Sequence, residues 1–146
     1  MAIIRHRVGV QAERDELFDA LILPEKLIGW WPTTAHGTPQ VGGRLELTFP
    51  GYPNHVWEIL ELVPGERVHL RCEDGPGPWL KTELRFELHP TESQVFVTLE
   101  HLHLDAESDA YLYFNTKWPT FLLSLKNLLE TGRGQPYPND LRIQHD

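Results

Sequence analysis

A chain of 146 residues, 40% hydrophobic and 23% charged, has enough apolar material for one packed domain, which excludes a disordered chain. Thirteen Lys and Arg against 21 Asp and Glu leave a formal charge of −8, so no broad basic footprint is offered to a nucleic acid. The single cysteine, Cys72, excludes an internal disulfide and a four-cysteine zinc cage.

The opening Met1-Ala2-Ile3-Ile4-Arg5-His6-Arg7 is too poor in apolar residues for the core of a signal peptide. No apolar run reaches the roughly 18 residues of a membrane span. A cytoplasmic protein is the expectation. The eight His match the acidic excess, so their protonation removes the net charge and should lower solubility in mild acid.

Along the chain, Ile4, Val8 and Val10 alternate with Arg5, Arg7 and Gly9, predicting a strand with His6 on its apolar side. Residues 12–21 place Leu17, Phe18 and Leu21 on one helical stripe, with Glu13, Asp15 and Glu16 near its start, where they suit the helix dipole. Pro24 restarts a short helix that ends at Trp30-Trp31-Pro32. From Gly42 onward the period becomes two. Strands are predicted around Leu45, Leu47 and Phe49, over 56–63, around Val68, Leu70 and Cys72, over 80–88, and over 95–103, joined by Pro- and Gly-containing turns. Residues 105–115 form a weak helical lead-in, and a stronger helix begins at Trp118-Pro119 and stops at Gly132. A polar tail follows from about 133. This α+β order predicts one domain over 1–146, with six antiparallel strands covered by the last helix.

Few side chains have the spacing of a chemical site. His101, His103 and Asp105 lie two apart and could converge as metal ligands if the strand continued. The strand is expected to end near His103 and Asp105 to cap the next helix, so no metal is expected. Glu58 and Glu61, three apart on a strand, should point to opposite faces and form no catalytic pair. Cys72 falls on an apolar strand face and reads as a buried, inert thiol. Arg67, His69, Arg71, Lys81 and Arg85, interrupted by Glu83 and Glu87, read as a solvated, salt-bridged outer face. Trp57 cannot be assigned to a face, because its strand has apolar residues on both.

Four segments carry a family resemblance. Residues 24–31, Pro-Glu-Lys-Leu-Ile-Gly-Trp-Trp, resemble a short second helix ending in tryptophans, and Val41-Gly42-Gly43 the paired glycines before the next strand. Residues 59–68, Ile-Leu-Glu-Leu-Val-Pro-Gly-Glu-Arg-Val, resemble a hydrophobic-x-Glu-hydrophobic-x-Pro-x-x-Arg-hydrophobic hairpin, and 118–132 a closing helix. In this order they resemble the START-like (SRPBCC) superfamily, in its subgroup named after the C-terminal domain of the activator of Hsp90 ATPase. Lys117, where the family often has glycine, and Cys72, where an aromatic is common, depart from the pattern.

The resemblance implies a helix-grip fold, a curved sheet wrapped around the last helix. It also implies a cavity between them for a small hydrophobic or amphipathic ligand. The candidate lining is Trp30, Trp31, Phe49, Trp79, Tyr111, Phe114, Trp118 and Phe121, with His101 as a polar contact. His101 could equally satisfy a partner in a filled core. Two other readings compete: a cyclase- or hydrolase-type enzyme, for which His6 and His101 are the inward titratable groups, and a module acting on Hsp90. The last is disfavoured, because 146 residues leave no room for the N-terminal domain of the full-length activator. No cofactor is expected, and a homodimer is left open.

Overall fold

The computed structural model describes residues 1–144. Its elements run β1 (Ala2–Val10), α1 (Arg14–Ile22), α2 (Pro24–Leu27), β2 (Thr34–Gly37), β3 (Arg44–Thr48), β4 (His55–Val63), β5 (Arg67–Asp74), β6 (Glu83–Pro90), β7 (Val95–Leu104) and α3 (Asp109–Thr131). All strand pairs are antiparallel, in the order β1-β7-β6-β5-β4-β3-β2. This is the expected helix-grip architecture with one strand more. The seventh, β2, escaped the sequence pattern because Thr-Ala-His-Gly is mostly exposed and does not alternate. Backbone pairing of Thr34 with Thr48 and Gly37 with Leu45 makes it an edge strand.

Period-two alternation decides what each strand buries. Leu45 and Leu47, Ile59, Val68 and Leu70, Leu84 and Phe86, and Val95, Val97 and Leu99 all point inward. The outer face is a lattice of ion pairs: Glu58 with Arg71 at 2.9 Å, Glu61 with Arg67 at 3.0 Å, and Arg5 with Glu100 at 3.0 Å. Such solvent-screened pairs add little to stability, so their main effect is to keep this face solvated.

Two irregularities mark the β4–β5 pair, and one of them, an extra residue at Leu60, changes the parity of β4. The register with β5 shifts between Val56 and Trp57 and again between Ile59 and Glu61. Glu58 and Glu61 therefore lie on the same outer face, opposite Arg71 and His69, contrary to the expectation from their spacing. Ahead of Leu60 the strand alternates regularly, and His55, Trp57 and Ile59 all turn inward.

Two further boundaries differ from the sequence expectation. Residues 78–81 form turns, Leu80 is exposed and Lys81 adopts a left-handed φ of 66°, so β6 begins only at Glu83. The last helix is also continuous over 23 residues. Ser108 caps it, its Oγ accepting from the Tyr111 amide at 3.1 Å, and Gly132 closes it with φ 85°. Phe114, Trp118, Phe121, Leu122 and Leu125 form its buried stripe.

Pro119 thus sits inside the helix rather than in its first turn. Having no N–H, it frees the carbonyl of Asn115, four residues earlier. His6 of β1 fills that vacancy, its Nε2 lying 3.1 Å from the Asn115 carbonyl oxygen and 3.0 Å from Oδ1. The inward side of β1 therefore serves to hold α3 at its weakest point.

The segment after Gly132 folds back as a strap. Gln135 N donates to Ser124 Oγ at 2.7 Å and Tyr137 N to the Trp31 carbonyl at 2.9 Å. The Tyr137 hydroxyl reaches the Pro50 carbonyl at 2.7 Å, and Lys117 pairs with Asp140. Gly134 permits the close approach, since a Cβ there would come within 2.3 Å of the Gly29 carbonyl oxygen. Among the described residues no helix is long and apolar enough to cross a membrane.

Truncating Leu125 to alanine should destabilise the fold by about 2–5 kcal/mol, whereas Glu87→Ala should stay within about 0.5 kcal/mol of wild type. Urea melts of the two variants check which face is buried. Gly134→Ala should expose the C-terminal strap to limited proteolysis while the helix signal in far-UV circular dichroism is retained; an unchanged cleavage pattern would show that the strap tolerates the Cβ.

Candidate functional site

The ring-bearing side chains singled out in the sequence come from five places. Trp30 and Trp31 follow α2, Phe49 follows β3, Trp79 lies on the 75–82 loop, His101 is on β7, and Tyr111, Phe114, Trp118 and Phe121 are on α3. The fold gathers most of them on the inner face of the sheet. Trp79 is the hub. Its ring lies 4.4 Å from Phe114, 5.2 Å from His101, 5.9 Å from Trp57 and 6.0 Å from Trp118, between centroids. Trp31 joins the other half, 5.4 Å from Trp118 and 6.0 Å from Phe49. Each separation is that of rings in contact, in stacked, tilted or edge-on arrangements.

Three candidates sit at the margins. Trp30 is deepest, its indole N–H donating to the Ala20 carbonyl at 2.7 Å and its ring edge-on to Phe86. Phe121 touches Trp118 on one side and the Lys117 ammonium on the other. Tyr111 is half-buried on the first turn of α3, at the edge of the core.

His101 is fully buried, and its hydrogen bonds define its tautomer. The Trp118 indole N–H can only donate, and it lies 3.1 Å from Nδ1, so Nδ1 accepts. Nε2 then carries the proton and donates to Thr82 Oγ1 at 2.9 Å. Thr82 in turn donates to the Trp79 carbonyl at 2.6 Å. Burial pushes the His101 pKa down to about 3, which keeps the ring neutral. Both nitrogens are taken by protein groups, so a ligand would meet the ring face rather than an open donor or acceptor.

The other residues of the candidate metal trident go elsewhere. His103 has φ 69° and turns to Glu83 at 3.2 Å, while Asp105 accepts from the Glu107 amide at 2.9 Å in the turn before α3. No group of three or more His, Cys, Asp or Glu that could hold a metal is gathered among the described residues. Cys72 is buried, and burial pushes its thiol pKa up to about 12, which removes it as a nucleophile at neutral pH.

Two members of the site were not singled out from the sequence. His55 and Trp57 are 3% and 0% exposed, and neither His55 Nδ1 nor Trp57 Nε1 has a hydrogen-bond partner among the described residues. Their rings lie 6.2 Å apart, with Phe49 4.8 Å and Trp79 4.9 Å from His55 and Trp31 6.3 Å from Trp57. Burial lowers the His55 pKa to about 4. The available signal was Glu58 between Trp57 and Ile59, which identifies the outward positions of β4 once the local period is respected.

Two clefts lie outside this aromatic group. One of about 380 Å³ borders Leu112 and Tyr113 at the start of α3, and one of about 300 Å³ lies between α1, α2 and Leu128.

A family model described as "Activator of Hsp90 ATPase homolog 1-like protein" matches residues 11–130. No curated protein matches. Among solved structures, the Aha1 dimer from Colwellia psychrerythraea is 33% identical with a TM-score of 0.84, covering 92% of this chain and 100% of that one. SSP2350 from Staphylococcus saprophyticus shares the fold at 20% identity and a TM-score of 0.78, covering 91% of this chain and 95% of its own. CalU16 from Micromonospora echinospora does so at 22% and 0.70, covering 88% and 73%.

The two buried imidazoles give the site a pH signature. Unfolded, each takes up a proton near its ordinary pKa of 6.5; folded, only near about 3 for His101 and about 4 for His55. Between these values the unfolded chain binds more protons, so stability is complete above 6.5 and falls as the pH drops. The slope is about 1.4 kcal/mol per pH unit for each histidine. Urea melts at about pH 7 and about pH 5.5 should show this loss, and His55→Phe should reduce the slope by about one proton. An unchanged slope would mean that His55 titrates normally in the fold.

Proposed function

The chain belongs to the activator of Hsp90 ATPase homolog 1-like family, and we propose that it binds a small apolar or amphipathic molecule between the inner face of the sheet and α3, with Trp79 yielding to admit it. The observation that carries this reading is the position of Trp79. It is half-buried and supplied by a loop, yet it contacts rings of His55, Trp57, His101, Phe114 and Trp118. A Cβ on Gly77, within the same loop, would meet nothing within 4 Å, so there is open space beside the loop. Rotation of this one side chain exchanges a ring of the protein for a ring or acyl segment of a ligand. The remaining walls, Trp31, Phe114 and Trp118, are buried and set on or beside helices.

An enzymatic use of the same place would need an acid–base pair. His101 has both nitrogens engaged and His6 is turned to Asn115, so neither supports that reading as placed. A second copy of the chain is the partner supported by a specific observation, because the 33%-identical Colwellia protein is described as a dimer.

Naphthalene and anilinonaphthalene sulfonate are suitable probes. Titration should quench or shift tryptophan emission, and ligand at about a hundred times its Kd should stabilise the protein by about 2.7 kcal/mol. Trp79→Ala should bind naphthalene more tightly than wild type, since the space is already vacated. Failure of both proteins to bind either probe would overturn the reading. Light scattering coupled to size exclusion tests the dimer, a monomer at tens of micromolar being the contrary result.

A further inference from the structure

We propose that the end of this site formed by β4 recognises a neutral hydroxyl carried on an aromatic ring, through Trp57 Nε1 and His55 Nδ1. The inference rests on the ligand-binding reading and specifies which end of the ligand goes where. Buried polar groups are nearly always hydrogen-bonded, because leaving one dry and unpaired forfeits its bonds to water. Here two such atoms, on residues two apart on the same strand face, have no partner among the described residues, and both lie within one ring cluster. The indole nitrogens of Trp30 and Trp118, by contrast, donate to defined acceptors.

The chemistry of the two atoms narrows the ligand. An indole N–H only donates, so the missing partner must offer an acceptor, which excludes an ammonium or guanidinium. A neutral imidazole nitrogen either accepts or donates. A hydroxyl satisfies both kinds of neighbour, since its oxygen accepts while its hydrogen donates. The rings around His55 and Trp57 are those of Phe49, Trp31 and Trp79, and among the described residues no ion pair or cation–π contact reaches any of the five, which disfavours a carboxylate or phosphate there. The flat aromatic walls favour a ring as the body that carries the hydroxyl. Tyr137 of the strap, edge-on to Phe49 at 5.7 Å, continues the wall toward the 50–54 turn.

Calorimetric titration with naphthalene, naphthol and naphthoate separates the possibilities. Wild type should bind naphthol about tenfold more tightly than naphthalene, one added hydrogen-bonded group being worth that factor, and naphthoate less tightly than naphthol. Trp57→Phe should bring naphthol to the level of naphthalene while leaving naphthalene within about twofold of wild type. His55→Phe makes the same comparison should Trp57→Phe lose its cooperative melt. Equal binding of naphthol and naphthalene to wild type, or a preference that survives in both variants, overturns the hydroxyl subsite and leaves the apolar site standing. Tightest binding of naphthoate overturns the neutral-group assignment. Absence of binding by all three removes the ligand-binding reading and this inference with it.

Discussion

The hydrogen-bonded chain from Trp118 through His101 and Thr82 to the Trp79 carbonyl is the constraint on which the rest of the interior depends. It ties the closing helix to a central strand and to a loop in one dry sequence of donors and acceptors. Each member is used up: the indole donates, Nδ1 accepts, Nε2–H donates, and the threonine hydroxyl accepts and donates. Removing any one member leaves a buried partner unsatisfied, which costs about 1–3 kcal/mol beyond the bond itself. The aromatic side chains pack around this chain without directional demands of their own, and its geometry sets where they meet.

A second tie operates at the other side of α3. Pro119 deprives the helix of one bond, and His6 supplies the donor from β1. In an isolated helix such a proline costs about 3 kcal/mol, so its presence makes sense only where a neighbouring strand meets the exposed carbonyl. Two histidines thus position one helix by opposite means. His101 accepts from the helix through a buried ring, and His6 donates to it through a half-buried one.

The strands and the closing helix were legible because alternation and helical stripes follow from which side meets water. That logic fails where pairing is unrelated to side-chain burial. β2 pairs at an edge with little to bury, and no apolar pattern marks it. The extra residue at Leu60 in β4 is a second failure, since a parity rule cannot see it; it left apolar residues on both apparent faces around Trp57 and misplaced Glu61 relative to Glu58. The aromatic candidates were found by residue type, but their mutual arrangement was not. His101 illustrates why: its inward direction follows from Val95, Val97 and Leu99, whereas its two partners come from residues 17 and 19 positions away in sequence.

A site that is also the hydrophobic core must reconcile filling with admission. Ring–ring contacts are worth about 0.5–1.5 kcal/mol each beyond area burial, and a ligand ring can replace them one for one. Buried hydrogen bonds cannot be exchanged so freely, because both ends must find new partners in a dry interior. The backbone of Trp79 belongs to the second class, its amide donating to the Pro76 carbonyl and its carbonyl held by Thr82, while its side chain belongs to the first. On the proposed reading, admission of a ligand therefore needs only side-chain rotation about a fixed backbone, at a position where the relay of His101 and Trp118 stays intact. On the same reading, the buried polar atoms left unpaired among the described residues fall on β4 and not on β7. The His101 nitrogens on β7 are committed to Thr82 and Trp118, and the proposal assigns those of His55 and Trp57 on β4 to a ligand.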